Sequence, residues 1–202
     1  LRIGVDANWY QRWSLQVPNI VGPVNVNEFS GVFGITSEQT TPEKNFQDAL
    51  NTMITAREIN PDTNRKKFIA KLSELNVGKR NKNRLNRVAD LYKEGMFFKK
   101  GTGQKTLLYA QTIEQGASNR FVPFGVIDIH MLRKLGLIPA GKKLTAAPDI
   151  SYQVGNAMLK ALSSLDYIVN GQVTQIPDVS KIQALLWGCL LYTSDAADEP
   201  VC

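Results

Sequence analysis

Apolar residues recur at three- and four-residue steps along most of this chain, the spacing that gathers them on one face of an α-helix. Thr41-Pro42-Glu43-Lys44 reads as a helix start, with Thr as N-cap, Pro at the first helical position and an acid in the first turn. Phe46, Ala49, Leu50 and Met53 then mark its apolar face. Pro61-Asp62-Thr63 opens another helix with Phe68, Ile69 and Leu72 inward. Asn81 or Asn83 caps a third, whose Leu85, Val88, Leu91 and Tyr92 turn inward while Arg and Lys face out. Gly95 is placed to end it. Helical patterns resume over 105–114, 129–135, 152–165 and 179–187. Residues 1–25 are least legible, with Trp9, Tyr10 and Trp13 expected to pack on the core. Strand-like alternation is scarce. The pattern predicts an all-α, compact helical domain of roughly seven to ten helices.

The chain's 202 residues, 43% of them hydrophobic and 21% charged, suit one soluble domain. No apolar run approaches the roughly 18 residues of a membrane span. The start, Leu1-Arg2-Ile3-Gly4-Val5-Asp6, lacks the layout of a secretion signal. Residues 189–202 resemble a translated sequencing adapter and are expected to be a non-native tail, leaving 1–188 as a single domain. Both cysteines, Cys189 and Cys202, lie in that tail. Residues 1–188 therefore offer no disulfide, thiolate metal site or iron–sulfur cluster, which suits a reducing cytosol.

Charge sharpens the picture. Residues 1–188 carry a net +9, and residues 65–105, with thirteen Lys or Arg against three acids, carry +10. One segment supplies the whole excess. A basic stripe is the electrostatic footprint of a polyanion, although a solvated helix face has the same composition.

The stripe ends in Lys99-Lys100-Gly101-Thr102-Gly103-Gln104-Lys105-Thr106. The spacing predicts a basic helix ending near Gly95 and a new helix starting near Gln104. Glycines between them permit close backbone approach. The N–H groups of the new helix start then make an anion site suited to a DNA phosphate. A phosphate-binding NTPase loop needs four residues between its glycines and a preceding strand, and this segment has neither.

With Ile127-Asp128-Ile129-His130 downstream, this segment resembles the helix-hairpin-helix DNA glycosylases, closest to the 8-oxoguanine branch. Lys105 matches that family's nucleophilic Lys, and Asp128 its catalytic Asp. Thr36-Ser37-Glu38-Gln39-Thr40-Thr41 resembles its wedge loop, with Gln39 as the wedge. Residues 178–188 resemble its last core helix, where Gln183 and Trp187 match the residues that read and stack the base. The resemblance covers about residues 20–188 through scattered short motifs. Lys99-Lys100 stand where the family usually has Leu-Pro, and residues 115–120 lengthen the interval between Lys105 and Asp128. The absent cysteines point away from the endonuclease III branch.

The resemblance implies a base-excision glycosylase with AP lyase activity on a damaged purine such as 8-oxoguanine. Its partner would be double-stranded DNA, with no membrane, in a nucleoid-associated cytoplasmic monomer. Alternatives are a glycosylase for oxidised pyrimidines and a catalytically silent DNA-binding module. Cleaving a base from deoxyribose develops positive charge on the sugar, which a carboxylate such as Asp128 stabilises. A Lys amine attacking C1′ forms a Schiff base and opens the elimination route that cuts the strand. The target base must leave the duplex and be held by stacking and hydrogen bonds.

Gly101, Thr102, Gly103, Gln104, Thr106 and His130 are the expected DNA contacts beside Gln39. Tyr109 joins Gln183 and Trp187 as a pocket candidate; core packing is the other role open to Tyr109 and Trp187, and a helix surface position the other open to Gln183. Asp128 also stands where the 129–135 helix needs an N-cap, and Lys105 where a phosphate contact fits. No metal is called for; a monovalent cation on hairpin carbonyls would be in keeping with the family.

Overall fold

A computed structural model describes residues 9–37, 40–77, 82–95, 103–120, 122–127, 129–139, 149–169 and 172–186. Side chains are described for all of these except residues 9, 10, 42, 82, 104, 129, 130, 134, 149 and 169. The described chain is mainly helical. Its helices are α1 (Trp9–Val21), α2 (Val26–Thr36), α3 (Pro42–Glu58), α4 (Arg65–Glu74), α5 (Lys82–Glu94), α6 (Gln104–Ala117), α7 (Ile129–Lys134) and α8 (Asp149–Ser163). A further helical run covers 179–186. Two strands, β1 (Asp166–Val169) and β2 (Gln172–Gln175), pair antiparallel with Asp166 opposite Gln175 and Val169 opposite Gln172. The described chain is thus mostly helical, as an all-α domain is expected to be, with this hairpin as its one sheet among the described residues. Tyr167, Ile168, Val173 and Thr174 are β-formers, and they flank Asn170-Gly171, the dipeptide that most favours a two-residue hairpin turn.

Two compact units divide the chain: Val17–Glu114, and a second drawn from residues up to Gln16 and from Gln115 onward. In the first, α2 packs against α3 and α5, while α4 packs against both of those helices. Phe29, Phe33, Phe68 and Leu72 are fully buried there. Phe33 lies at the centre of an aromatic cluster, its ring centroid 5.6 Å from Phe29 and 5.1 Å from Tyr109.

The start of α3 forms as its sequence dictates: Thr41 is the N-cap, its side chain accepting from Lys44 N–H, and Pro42 is the first helical residue. The junction before it is tied by side chains. A helix leaves its last four carbonyls without helical partners. Asn45 Nδ2 donates to Phe33 O at 3.0 Å and Ser37 Oγ to Gly34 O at 2.7 Å, meeting two of those of α2. Thr36 Oγ1 donates to Asn45 Oδ1 at 2.7 Å, locking the donor in place.

Helix α4 starts later than expected. Residues 61–63 form a turn, Asn60 Oδ1 accepts from Asp62 N–H, and Asn64 precedes the helix without a side-chain cap bond. Gly95 follows α5 with φ 63°, a left-handed conformation that glycine adopts without strain, so the predicted end holds.

An ion-pair cluster crosses this unit. Arg57 pairs with Glu28 from α2, and Tyr92 of α5 donates to Glu28 Oε1 at 2.7 Å. Burial first, then the hydrogen bond to the Glu28 carboxylate, push the Tyr92 phenol well above its ordinary value. The fold therefore keeps a proton that the unfolded chain releases near pH ~10, and its stabilising contribution declines as pH rises beyond that. Denaturant midpoints measured from about pH 8 to 11 are expected to fall more steeply above pH 10 in the wild type than in Tyr92→Phe. Equal slopes would exclude the link.

In the second unit, α7 packs on α8 over Ile127, Met131, Leu132, Leu159, Val179 and Ile182. Asp178 caps the 179–186 run: Oδ1 accepts from Ser180 N–H at 2.9 Å, and its carbonyl accepts from Lys181 N–H. Tyr167 ties the hairpin back, donating to Leu162 O at 2.6 Å.

Candidate nucleic-acid interface and catalytic residues

The candidate residues fall on both units, and each group is built by its own elements. In the first unit, α6 begins where the sequence places it. Gly103 O accepts from Leu107 N–H at 3.1 Å, closing the first helical turn, so Gln104, Lys105 and Thr106 hold the first-turn positions. The first turn of a helix offers N–H groups that lack intrahelical acceptors, the general condition for an anion site. Lys105 and Thr106 are half-buried, and Gly103 is exposed.

Helix α6 is fixed against α2 by a close backbone approach. A Cβ on Gly34 would lie 2.6 Å from Thr106 O and 3.0 Å from Ala110 Cβ. Alanine favours helix over glycine by about 1 kcal/mol. Forcing a methyl group against a backbone oxygen costs roughly 1–3 kcal/mol, and at 2.6 Å from an oxygen that cannot turn aside the cost falls in the upper part of that range, above the gain. Gly34→Ala is therefore expected to lower the denaturant midpoint, with a rise as the contradictory result.

One turn beyond Lys105, Tyr109 is buried against Phe33. Its ring belongs to the core of this unit, one of the two roles open to it in sequence. Residues 96–102 lie outside the described residues, and Gly101, Thr102 and the hairpin carbonyls expected to hold a cation fall among them. Gln39 does too, although the C-terminus of α2 that leads to it is well tied.

The basic stripe is less uniform than its composition. Lys66, Lys67, Arg87 and Lys93 are exposed. Arg65 pairs with Asp90 and Lys71 with Glu74 at 3.3 Å. Arg84 is only 4% exposed, which corrects the expectation that the Arg and Lys of α5 all face out. It adjoins the buried Leu85 and stands one turn before the buried Val88, on the inward side of the helix.

In the second unit, residues 122–127 run without a strand partner among the described residues and lead towards α7. Val122, Val126 and Ile127 are buried along this stretch. Gly125 N–H is accepted by Asn156 Oδ1 at 2.8 Å, and Val126 N–H by Gln183 Oε1 at 3.3 Å. Gln183 is fully buried, and its Nε2 has no hydrogen-bond partner among the described residues. Sequence gave no sign of the Asn156 contact, because an Asn on an amphipathic helix reads as surface.

Asp128 lies outside the described residues, as do Trp187 and the side chains of Gln104 and His130. Residue 130 itself sits in the first turn of α7. Among the described residues no three His, Cys, Asp or Glu converge as metal ligands, and no helix is long and apolar enough to cross a membrane. The chain matches no protein-family profile, and no curated protein or solved structure is significantly similar to it.

Proposed function

We propose that the chain is a DNA base-excision glycosylase of the helix-hairpin-helix type with AP lyase activity, acting on a damaged purine such as 8-oxoguanine. The observation that carries this reading is the start of α6. A 14-residue helix opens immediately after Gly103, puts Lys105 in its first turn, and is held against α2 at Gly34. A family-matching Lys on a helix start that also suits a phosphate joins DNA binding and nucleophile in one element.

Lys105 attacks C1′ as the bond to the base breaks, and the base leaves with a proton. Asp128 stabilises the positive charge that develops on the sugar and serves the proton transfers. The resulting aminal opens as its C1′–O4′ bond breaks and O4′ takes a proton, giving a Schiff base that acidifies the C2′ position, so elimination breaks the C3′–O bond, releases the 3′ phosphate and cuts the strand. Hydrolysis of the Schiff base restores the amine. The exposed Lys66, Lys67, Arg87 and Lys93 add a salt-sensitive grip on the backbone. Double-stranded DNA is the partner, which fits a nucleoid-associated protein.

Those exposed charges equally favour a second reading, a DNA-binding module without catalysis. Incubation with duplexes bearing 8-oxoguanine, thymine glycol or an abasic site separates the two. Release of 8-oxoguanine with strand scission is the expected outcome. Salt-sensitive binding with no base release on any lesion would leave the binding module, and absence of DNA affinity would exclude both.

A further inference from the structure

We infer that Gly34 of α2 is a positioning residue for Lys105: with no side chain there, the end of α2 sets where the α6 turn that carries the amine can lie. This rests on the glycosylase reading above. Gly34 is buried in the last turn of α2. A Cβ on it would lie 2.6 Å from Thr106 O, 3.0 Å from Ala110 Cβ and 3.4 Å from Ala110 N. In an α-helix the N–H of residue 110 is bonded to the carbonyl of residue 106, so the contact falls on one of the first backbone bonds of α6. Thr106 directly follows Lys105, and only glycine admits so close a backbone approach.

The two sides of this contact are held differently. On the α2 side, Asn45 Nδ2 donates to Phe33 O at 3.0 Å, Thr36 Oγ1 donates to Asn45 Oδ1 at 2.7 Å, and Ser37 Oγ donates to Gly34 O at 2.7 Å. The fully buried Phe33 ring meets Phe29 and Phe46 as well. Side chains therefore bind the last turn of α2 to α3. Helix α6 is anchored further along, where Tyr109, Ala110, Thr112 and Ile113 are buried. Lys105 and Thr106 are only half-buried, and Gly103 is exposed. A methyl group on Gly34 therefore moves the Lys105 turn rather than α2. The turn pivots about the buried stretch that follows it, and clearing the Thr106 oxygen takes several tenths of an ångström.

The test uses the full chain and a duplex bearing an abasic site, whose scission needs the amine and no base recognition. Single-turnover kinetics give the maximal rate and the half-saturating enzyme concentration. Misplacing a catalytic group by about 1 Å lowers rates on the order of a hundredfold, so Gly34→Ala is expected to lose about tenfold in maximal rate. The half-saturating concentration is expected to stay within about twofold, since binding shared by ground and transition states is untouched. Leu72→Ala controls for stability. Leu72 is fully buried in the α4–α5 core, in a cluster that includes no described residue of α6. Its loss also lowers the denaturant midpoint, but the folded variant is expected to keep its maximal rate within about twofold. If Gly34→Ala does not fold, Ala110→Val, which thickens the α6 side of the same contact, carries the same expectation.

A maximal rate in Gly34→Ala within about twofold of the wild type would overturn the assignment while leaving the function intact. So would an equal loss in Leu72→Ala, which would make the effect one of stability. A half-saturating concentration raised about tenfold at an unchanged maximal rate would place the contact in the DNA grip and overturn it too. A wild-type chain that binds the abasic duplex without cutting it would remove the function, and this assignment with it.

Discussion

Lys105→Ala is expected to lower strand scission at an abasic site at least about a thousandfold and to abolish the borohydride-trapped protein–DNA adduct, as removal of a covalent nucleophile does. Folding is expected to be preserved. Lys105 stands in the first turn of α6, and alanine, the best helix former, keeps that turn. A phosphate contact at the same position predicts something different. Its loss would weaken binding to damaged and undamaged duplex alike and reduce the salt slope by about one, with scission falling only as binding falls. Lys105→Arg separates the two. The guanidinium keeps the phosphate contact but cannot form the Schiff base, so scission is expected to be as poor as in Lys105→Ala. Scission in Lys105→Arg near the wild-type rate would assign Lys105 to the phosphate.

Phe33→Ala is expected to destabilise the Val17–Glu114 unit by about 3–5 kcal/mol, a large share of the roughly 5–15 kcal/mol that holds an ordinary domain together. Its ring is fully buried and meets Phe29, Phe46 and Tyr109, with the Phe46 centroid 6.4 Å away. Aromatic pairs of this kind add about 0.5–1.5 kcal/mol beyond the area they bury, so several contacts are lost together. Tyr109 stands one turn after Lys105 on α6, and the substitution also removes the packing beneath that turn. Phe33→Leu keeps most of the apolar volume and is expected to lose less than half as much. Denaturant unfolding checks both; a loss below about 1 kcal/mol in Phe33→Ala would show that the cluster does not hold the unit.

The elements legible in sequence are those with one wet face. Helices α4 and α5 turn their apolar residues inward, α5 with Arg84 among them, whereas α3 buries Asn45, Asp48, Thr52 and Thr55 beside Ala49 and Met53; α3 and α5 carry end signals as well, Thr41-Pro42 and Gly95. Helix α2 has no such contrast. From Phe29 to Thr36 every residue is buried, so the run shows no stripe to read. The β1–β2 hairpin was hidden for the opposite reason: β2 is exposed along its length, and no apolar/polar alternation marks it. Its signal was Asn170-Gly171 between β-branched residues. No linker marks the division into two units, because its boundaries fall within α1 and near the end of α6.

The candidate site was legible unevenly. The helix start at Gln104 and the end of α5 follow from glycine and capping chemistry, which act locally. The bonds from Asn156 and Gln183 to consecutive N–H groups join residues 31 and 57 positions apart, and local pattern carries no trace of them. Arg84 departs from the pattern because charge alone does not report burial: it lies beside Leu85 on the inward side of α5.

Mapping the attachment point of the reduced adduct tests the central claim most directly. The full chain is incubated with a duplex bearing 8-oxoguanine in borohydride, digested, and the DNA-modified peptide identified by mass. The modification is expected on Lys105. Attachment at Lys99, Lys100 or the N-terminal amine, or no adduct while the chain binds the duplex, would contradict it.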